Sequence, residues 1–148
     1  LTHKLGRDGF IAILPNRYDL EHPLWSRKLE GMPGIFSNQT EWERHYLAQC
    51  AWASVAGCVV FWLPVESRTN PRPKDEGPYA QDTYGELGEW RGHAAHLPNV
   101  RWVIGAEEGC PGLRTIERNN KGALGHHAPR IWPTLEETIE AAISTART

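Results

Sequence analysis

The feature that most constrains the fold is an apolar run near the middle of the chain, Gly57–Pro64, with the sequence GCVVFWLP. Its residues are mostly β-branched or aromatic, and the run is too short for a buried helix. Continuous apolar character over this length is typical of a parallel strand that is covered on both faces. Because a polar, proline-rich stretch follows Pro64, the pattern predicts a buried strand that leads directly into a loop.

A helix is predicted after that loop. Thr83 and Glu86 match the Thr-x-x-Glu pattern of a capping box at a helix N-terminus. Apolar residues then recur at helical spacing as far as Ala94. The sequence therefore predicts a helix over Thr83–His96, with Glu86 in its first turn, at the point where the chain leaves a sheet.

Strands and helices alternate along the rest of the chain. Strands are predicted near residues 10–14, 57–63, 100–104 and 130–132. Further helices are predicted over Thr40–Ala53, over Cys110–Lys121 as a helix or helical turn, and after a second capping pattern, Thr134-x-x-Glu137. This alternation favours an α/β fold with a doubly wound parallel sheet of the flavodoxin or Rossmann type, as one domain over residues 1–148.

Length and charge restrict the classes of partner. A chain of 148 residues is long enough for one domain with its own core. Its net charge is −2 and it has no basic block, so nucleic acid is not an expected partner. No apolar run is long enough to span a membrane and no signal peptide is visible. Three cysteines without CxxC spacing indicate reduced core thiols in a cytoplasmic protein.

Carboxylates are the most informative candidate site residues. Ligands of open α/β sheets bind at the carboxyl ends of the strands, where Glu86 is predicted. A carboxylate can capture the electron-poor anomeric carbon that forms as a nucleoside loses its base, and a helix N-terminus would help keep Glu86 ionised. The alternative is that Glu86 only caps amides of its own helix. Asp82, the nearest second carboxylate, either contacts the base, handles a proton or caps the helix.

Other side chains have both a functional and a structural interpretation. Tyr84 and Trp62 are candidates for stacking on a base or packing on a sugar, although Trp62 also fits a core position. The loop Val65–Gln81 is either a solvated surface loop or a lid. His93 and His96 have helical spacing but no cysteine or acidic partner at zinc-like spacing, so no metal site is predicted. Neither a dinucleotide fingerprint nor a serine nucleophile elbow is present, and no cofactor is expected.

Several segments, taken in order, resemble one known family. FWLP, TYGELGEW, VRWVIG and TLEETIEAA, with QTEWERHYL upstream, are similar to the nucleoside 2-deoxyribosyltransferase-like family. The resemblance extends from Phe10 to the C-terminus. It implies a three-layer Rossmann-like fold, a nucleoside or nucleotide as substrate, and a homo-oligomer, either a dimer or a higher assembly. The Glu of the ELG motif is the nucleophile in that family, and this role maps onto Glu86.

The sequence also departs from the family pattern. The family's first strand and its Gly-containing loop have no counterpart here. Cys58 stands where many relatives have Asp and is interpreted as a small core residue. Relatives often carry an Asp six residues before the Glu, a position that Ala80 occupies here, with Asp82 as the nearest substitute. The resemblance further places Glu43 on the substrate side, with capping as its alternative, and assigns substrate binding to Asn120, whose simpler role is a helix C-cap.

These patterns predict an enzyme that cleaves the N-glycosidic bond of a nucleoside or nucleotide through Glu86 and transfers the sugar to another base or to water. The alternative is a catalytically silent nucleotide-binding or interaction domain of the same fold, which the departures favour. A hydrolase specific for nucleoside 5′-monophosphates would need a basic or amide-rich phosphate nest, and no such stretch is evident in the sequence.

Overall fold

The computed structural model describes residues 34–35, 39–51, 57–69, 71, 73–97 and 99–148. The chain divides into two compact units, Leu1–Gln49 and Cys50–Thr148. Helix α1, Gln39–Ala51, confirms the helix predicted over Thr40–Ala53 as far as the description extends. The strand predicted near residues 10–14 and the side chain of Thr40 lie outside the described part of the chain.

The second unit is a small α/β fold with a three-stranded parallel sheet in the order β1-β2-β3. With α1, the described residues form four α-helices, a layout compatible with a Rossmann-like fold. The predicted strands near 57–63, 100–104 and 130–132 are confirmed, with shifts of one or two residues at their ends. The bounds are β1 Val59–Leu63, α2 Gln81–His96, β2 Trp102–Ala106, α3 Leu113–Leu124, β3 Ile131–Trp132 and α4 Leu135–Arg147.

Strand β2 is the centre of the core. All five of its residues are buried, because it pairs with β1 on one side and β3 on the other. On β1, Phe61 and Leu63 are buried while Val60, on the opposite face, is 41% exposed. Phe61 and Trp102 meet edge to face, with ring centroids 6.3 Å apart. The core therefore has one well-filled sheet face built on aromatic and aliphatic side chains.

Helix α4 packs on the other face of the sheet through a very close contact. A Cβ atom at Gly105 would overlap the Oγ1 atom of Thr138 and lie 2.8 Å from its Cβ and Cγ2 atoms. Thr138 is fully buried, and its hydroxyl donates a hydrogen bond of 2.6 Å to the carbonyl of Thr134. Glycine in the middle of a central strand thus allows the helix backbone to approach the sheet closely.

The N-cap that the capping pattern predicts for α4 is confirmed at Thr134. Thr134 is the N-cap residue, and its Oγ1 atom accepts a hydrogen bond of 3.2 Å from the amide of Glu137. The same hydroxyl donates to Glu137 Oε2 at 2.8 Å. Two acidic residues in the first turn, Glu136 and Glu137, also complement the positive end of the helix dipole.

The capping box predicted for α2 is wrong. The helix begins at Gln81 rather than Thr83, so Glu86 lies in its second turn and not in the first. The N-cap residue is Ala80, which has a left-handed backbone with φ of 57° and provides no side-chain cap. The amide of Gln81 donates instead to the Pro78 carbonyl at 3.3 Å, which shows that the turn before the helix determines where it begins.

Helix α3 also differs from its predicted span. It begins after Gly112, whose φ of 77° favours glycine, and it continues to Leu124 rather than stopping at Lys121. Asn120 therefore lies inside the helix, and the prediction that it caps the C-terminus is wrong. The C-cap residue is Gly125, whose amide donates to the carbonyl of Lys121.

Candidate functional site

The carboxyl ends of β1 and β2 are joined by Glu107, the residue directly after β2. Its amide donates a hydrogen bond of 2.9 Å to the carbonyl of Leu63. Its side-chain Oε2 atom accepts one of 2.8 Å from the amide of Val65. The amide and the carboxylate of Glu107 therefore both fix the point at which the chain leaves β1 and enters the loop toward α2.

The loop between β1 and α2 is also fixed at its far end. The hydroxyl of Tyr79 donates a hydrogen bond of 2.9 Å to the carbonyl of Pro64. The side chains between these two residues are mostly exposed where they are described, and a short 3₁₀ helix, Lys74–Glu76, lies among them. The segment is thus a surface loop whose two ends meet, as in an Ω-loop. Its predicted function as a lid stays a prediction.

Tyr84 joins the first turn of α2 to the start of α3. Its hydroxyl donates a hydrogen bond of 2.7 Å to the carbonyl of Pro111, and the Cζ atom of the ring lies 3.9 Å from the position of a Cβ atom on Gly112. Partial burial raises the pKa of the Tyr84 phenol, with Cys110 as a further cause. The polar end of Tyr84 is therefore engaged by the protein backbone, while its ring remains half-exposed.

One face of α2 brings Asp82 and Glu86 together with Glu89, because residues three and four apart lie side by side on a helix. All three side chains are exposed by area. Burial by surrounding atoms raises the pKa of the Glu86 carboxyl, and the negative charges of Asp82 and Glu89 raise it further. The prediction that the helix N-terminus favours ionisation of Glu86 is therefore wrong: in its second turn, the neighbouring carboxylates and burial dominate.

Three other predicted site residues lie on other elements. Trp62 is the register partner of Gly105, which places it on the sheet face that α4 covers, and its side chain is half-buried. Asn120 is 2% exposed on α3, and its Nδ2 atom has no hydrogen-bond partner among the described residues. Glu43 is half-buried on α1, in the first unit of the chain. The structure thus brings Asp82 and Glu86 together on one face of α2.

The cysteines have the character expected of core residues. Burial raises the pKa of the Cys58 thiol to about 12, and the nearby Cys50 contributes to the shift. Burial likewise raises the pKa of Cys50, whose Sγ atom lies 3.5 Å from the position of a Cβ atom on Gly57. A thiol with so high a pKa is protonated at neutral pH and is a poor nucleophile, in agreement with its interpretation as a packing residue.

The histidines do not form a metal centre in the described part of the chain. His93 pairs with Glu89 at 3.5 Å, and the rings of His126 and His127 stack with centroids 3.9 Å apart. No group of three His, Cys, Asp or Glu side chains that could hold a metal ion is found among the described residues.

An open depression of about 490 Å³ lies against β3 and α4. Its described lining does not include any of the six predicted site residues; it consists of Trp132, Glu137, Glu140, Ala141, Ser144 and Thr145. The guanidinium of Arg130 covers the Trp132 ring, 4.2 Å from its centroid. This depression is therefore separate from the carboxylates on α2.

The comparisons with known proteins do not indicate a function. The chain matches no family model, no curated protein and no solved structure. None of the helices within the described ranges is long and apolar enough to cross a membrane. Function therefore has to be argued from the side chains on α2 and at the carboxyl ends of the strands.

The sequence patterns did not identify Glu107 and Tyr79, which hold the two ends of the loop between β1 and α2. Glu107 follows an apolar strand directly, so the rule that ligands and polar side chains gather at strand carboxyl ends could have identified it. Tyr79 offered no comparable signal. The hydrogen bond of Tyr79 joins residues 15 apart, and its acceptor is a backbone carbonyl that any residue supplies.

Proposed function

We propose that this chain is a nucleoside 2-deoxyribosyltransferase-like enzyme that cleaves the N-glycosidic bond of a nucleoside or nucleotide. The observation that carries the proposal is the position of Glu86, which is exposed in the second turn of α2 beside Asp82 and takes no part in capping the helix. The resemblance of the TYGELGEW segment to that family supports the same assignment of the nucleophile.

The proposed reaction has two displacements. The Glu86 carboxylate attacks the anomeric carbon, the bond from that carbon to the base nitrogen breaks, and its electron pair leaves with the base, which takes up a proton. A second base or water then attacks the same carbon and loses a proton, and the ester bond to Glu86 breaks. Asp82 is proposed to handle these protons, since residues i and i+4 on a helix have Cβ atoms about 5–6 Å apart, which lets two carboxylates approach the separation of about 5–5.5 Å found in retaining glycosidases.

We further propose that the second unit is doubly wound. Right-handed crossovers from β1 to β2 and from β2 to β3 would place α2 and α3 on the sheet face opposite α4, so that the unit is doubly wound. The first turn of α2 then lies at the carboxyl edge of the sheet, near Glu107 and Pro64. Substrate would bind at this edge, under or beside the loop that Tyr79 closes.

The full chain can be tested with a panel of nucleosides and 2′-deoxynucleosides, with and without an acceptor base, followed by chromatography of the released bases. Glu86→Gln is expected to lower turnover by more than about 1,000-fold, because it removes the nucleophile. Glu89→Gln is the matched control on the same helix face and is expected to retain turnover. Equal turnover in Glu86→Gln and the wild type would refute the assignment.

The proposed covalent intermediate gives a second readout. After an acid quench during turnover, peptide mass spectrometry is expected to find a sugar adduct on the peptide that contains Glu86. The same adduct on another carboxylate would move the nucleophile elsewhere. Base release without any adduct, even in a rapid quench, would favour direct attack by water.

A silent nucleotide-binding domain is the second candidate. It is favoured by the hydroxyl of Tyr84, which already donates its hydrogen bond to the carbonyl of Pro111. Titration calorimetry of the wild type with nucleosides and nucleotides distinguishes the two candidates. Binding without release of any base would support the silent domain and contradict the enzyme.

A further inference from the structure

The depression against β3 and α4 has the dimensions of a small-molecule site. Its volume of about 490 Å³ lies within the range of roughly 300–1,000 Å³ that is usual for ligand pockets. Five of its six lining residues come from one face of α4, and the sixth is Trp132 of strand β3. From Glu137 to Thr145 the lining extends about 12 Å along the helix axis. The depression is therefore an elongated groove, here called the α4 groove.

One end of the α4 groove carries negative charge. Glu137 and Glu140 line it three residues apart on the helix, where their Cβ atoms are about 5–6 Å from each other. Glu137 lies in the first turn of α4, but two full charges outweigh the roughly half positive charge of a helix start. The described lining of the groove does not include a cationic side chain. A positively charged group is therefore favoured at this end.

The other end of the α4 groove also favours a cation. Ser144 and Thr145 line it, and a hydroxyl oxygen accepts hydrogen bonds from an ammonium group. Both residues lie in the last turn of α4, where the roughly half negative charge of the helix C-terminus acts. The basic residue of that turn, Arg147, does not line the groove. The two favoured cation positions are thus separated by about six residues of helix, or about 9 Å.

Between its two ends the α4 groove is apolar. Ala141 lies there on the helix, and Trp132 lines the groove from β3. The indole already attracts one cation, because the guanidinium of Arg130 lies 4.2 Å from its ring centroid. Since Arg130 does not belong to the described lining, the part of the indole that borders the groove is not the part that Arg130 covers. An aliphatic chain can therefore pack against Trp132 and Ala141 between two positive ends.

We propose that the α4 groove binds a linear aliphatic diamine with both amines protonated. One ammonium group lies at the two carboxylates, the methylene chain packs against the indole, and the second ammonium group reaches the hydroxyls of the last turn. Protonated amines suit both ends because they donate hydrogen bonds, which a quaternary ammonium group cannot do. The separation of about 9 Å between the ends fits a chain of about six methylene groups. Because the groove is open and both charges stay partly in water, the expected Kd is about 0.1–1 mM. The site goes beyond the proposed reaction and does not depend on it.

Titration of the full chain with hexamethylenediamine at low salt tests the proposal, with the indole N–H signals followed by proton–nitrogen correlation NMR. Trp132→Phe identifies the Trp132 signal by its loss. Hexamethylenediamine is expected to shift this signal saturably, whereas hexylamine is expected to bind about 5-fold more weakly, because it lacks the second charge. Hexanediol, which has the same chain without charge, is expected not to bind. An unshifted Trp132 signal at about 10 mM diamine, or equal binding of hexylamine or hexanediol, would overturn the proposal.

Substitutions make the test specific to the groove. Glu140→Gln keeps the shape of the side chain and is expected to weaken diamine binding about 5-fold. Glu136→Gln is the matched control, because it removes the same charge from the same helix at a residue that does not line the groove, and it is expected to leave the Kd within about two-fold. Ala141→Leu fills the middle of the groove and is expected to abolish binding. Circular dichroism confirms that each variant is folded. Equal losses in Glu140→Gln and Glu136→Gln, or undiminished binding in Ala141→Leu, would overturn the assignment.

Discussion

Helices α2 and α4 both carry the pattern Thr-x-x-Glu at or near their start, yet they are held in different ways. At α4 the pattern forms the cap, and Thr138 then fixes the helix against Gly105 of the central strand. At α2 the pattern falls two residues inside the helix. Tyr79 and Tyr84 instead tie its start to backbone carbonyls of other segments.

The difference shows what a capping pattern can predict. Such a pattern forms the cap only where the preceding chain is free to take an extended conformation at the cap residue, as Thr134 does. Before α2, the hydrogen bond from Tyr79 to the Pro64 carbonyl constrains the chain, and the helix begins directly after the left-handed residue Ala80. Glu86 is consequently released from a capping role and is exposed on the helix face.

The largest expected effect concerns the contact that fixes α4. Gly105→Ala would place a methyl group onto Thr138, and we expect it to lower the free energy of unfolding by about 3 kcal/mol. Urea unfolding followed by circular dichroism measures the change. Gly122→Ala on α3, where nothing lies within 4 Å, is the control and is expected to raise stability by about 0.5–1 kcal/mol. Equal stability of Gly105→Ala and the wild type would contradict the close approach.

The two capping patterns can be compared directly. Thr134→Ala removes the acceptor for the Glu137 amide and is expected to lower the free energy of unfolding by about 1 kcal/mol. Thr83→Ala lies inside α2 and is expected to cause no such loss, because alanine has the higher helix propensity. The same urea experiment measures both. A similar loss in the two variants would show that Thr83 is a cap after all.

The next largest effect is expected at the two tyrosines whose hydroxyls hold the start of α2. Tyr79→Phe removes only the hydroxyl that binds the Pro64 carbonyl, which is expected to reduce stability by about 1 kcal/mol and to increase local opening of the loop about five-fold. Trypsin cleavage after Arg68 and Lys74 measures that opening. Tyr84→Phe is the matched control, since its bond joins α2 to Pro111 and leaves the loop closed. Unchanged cleavage in Tyr79→Phe would show that the loop is held by other contacts.

The smallest effect concerns Glu86 itself. Asp82→Asn removes one of the negative charges that raise the pKa of Glu86, so that pKa is expected to fall. Because folding raises the Glu86 pKa, the folded chain binds this proton more tightly than the unfolded chain. As the pH rises through the folded-state pKa of Glu86, ionisation of its carboxyl therefore lowers the free energy of unfolding. Asp82→Asn is expected to make this loss smaller. Carbon NMR of the Glu86 carboxyl gives the midpoint, with Asp75→Asn as a control that leaves it unchanged.

Much of the second unit follows from the sequence because its signals are local. The strand at Gly57–Pro64, the cap at Thr134 and the apolar positions of α4 each depend on residues within one turn or one strand. The start of α2 and the two ends of α3 do not, since the first depends on a distant hydroxyl and the others depend on the conformation of Gly112 and Gly125. The sequence pattern identifies Asp82 and Glu86 as candidate carboxylates. It does not predict the direction of the Glu86 pKa shift, because that direction depends on the position of Glu86 in the second turn of α2.

The bond between Tyr79 and Pro64 has a consequence for engineering. Its acceptor is a main-chain oxygen, so it places no demand on the side chains of the fourteen positions between the two residues. Since the closure entropy of a loop grows only slowly with its length, foreign peptides inserted there should be displayed without disturbing the sheet. This stretch is a natural place to graft an epitope or a peptide tag.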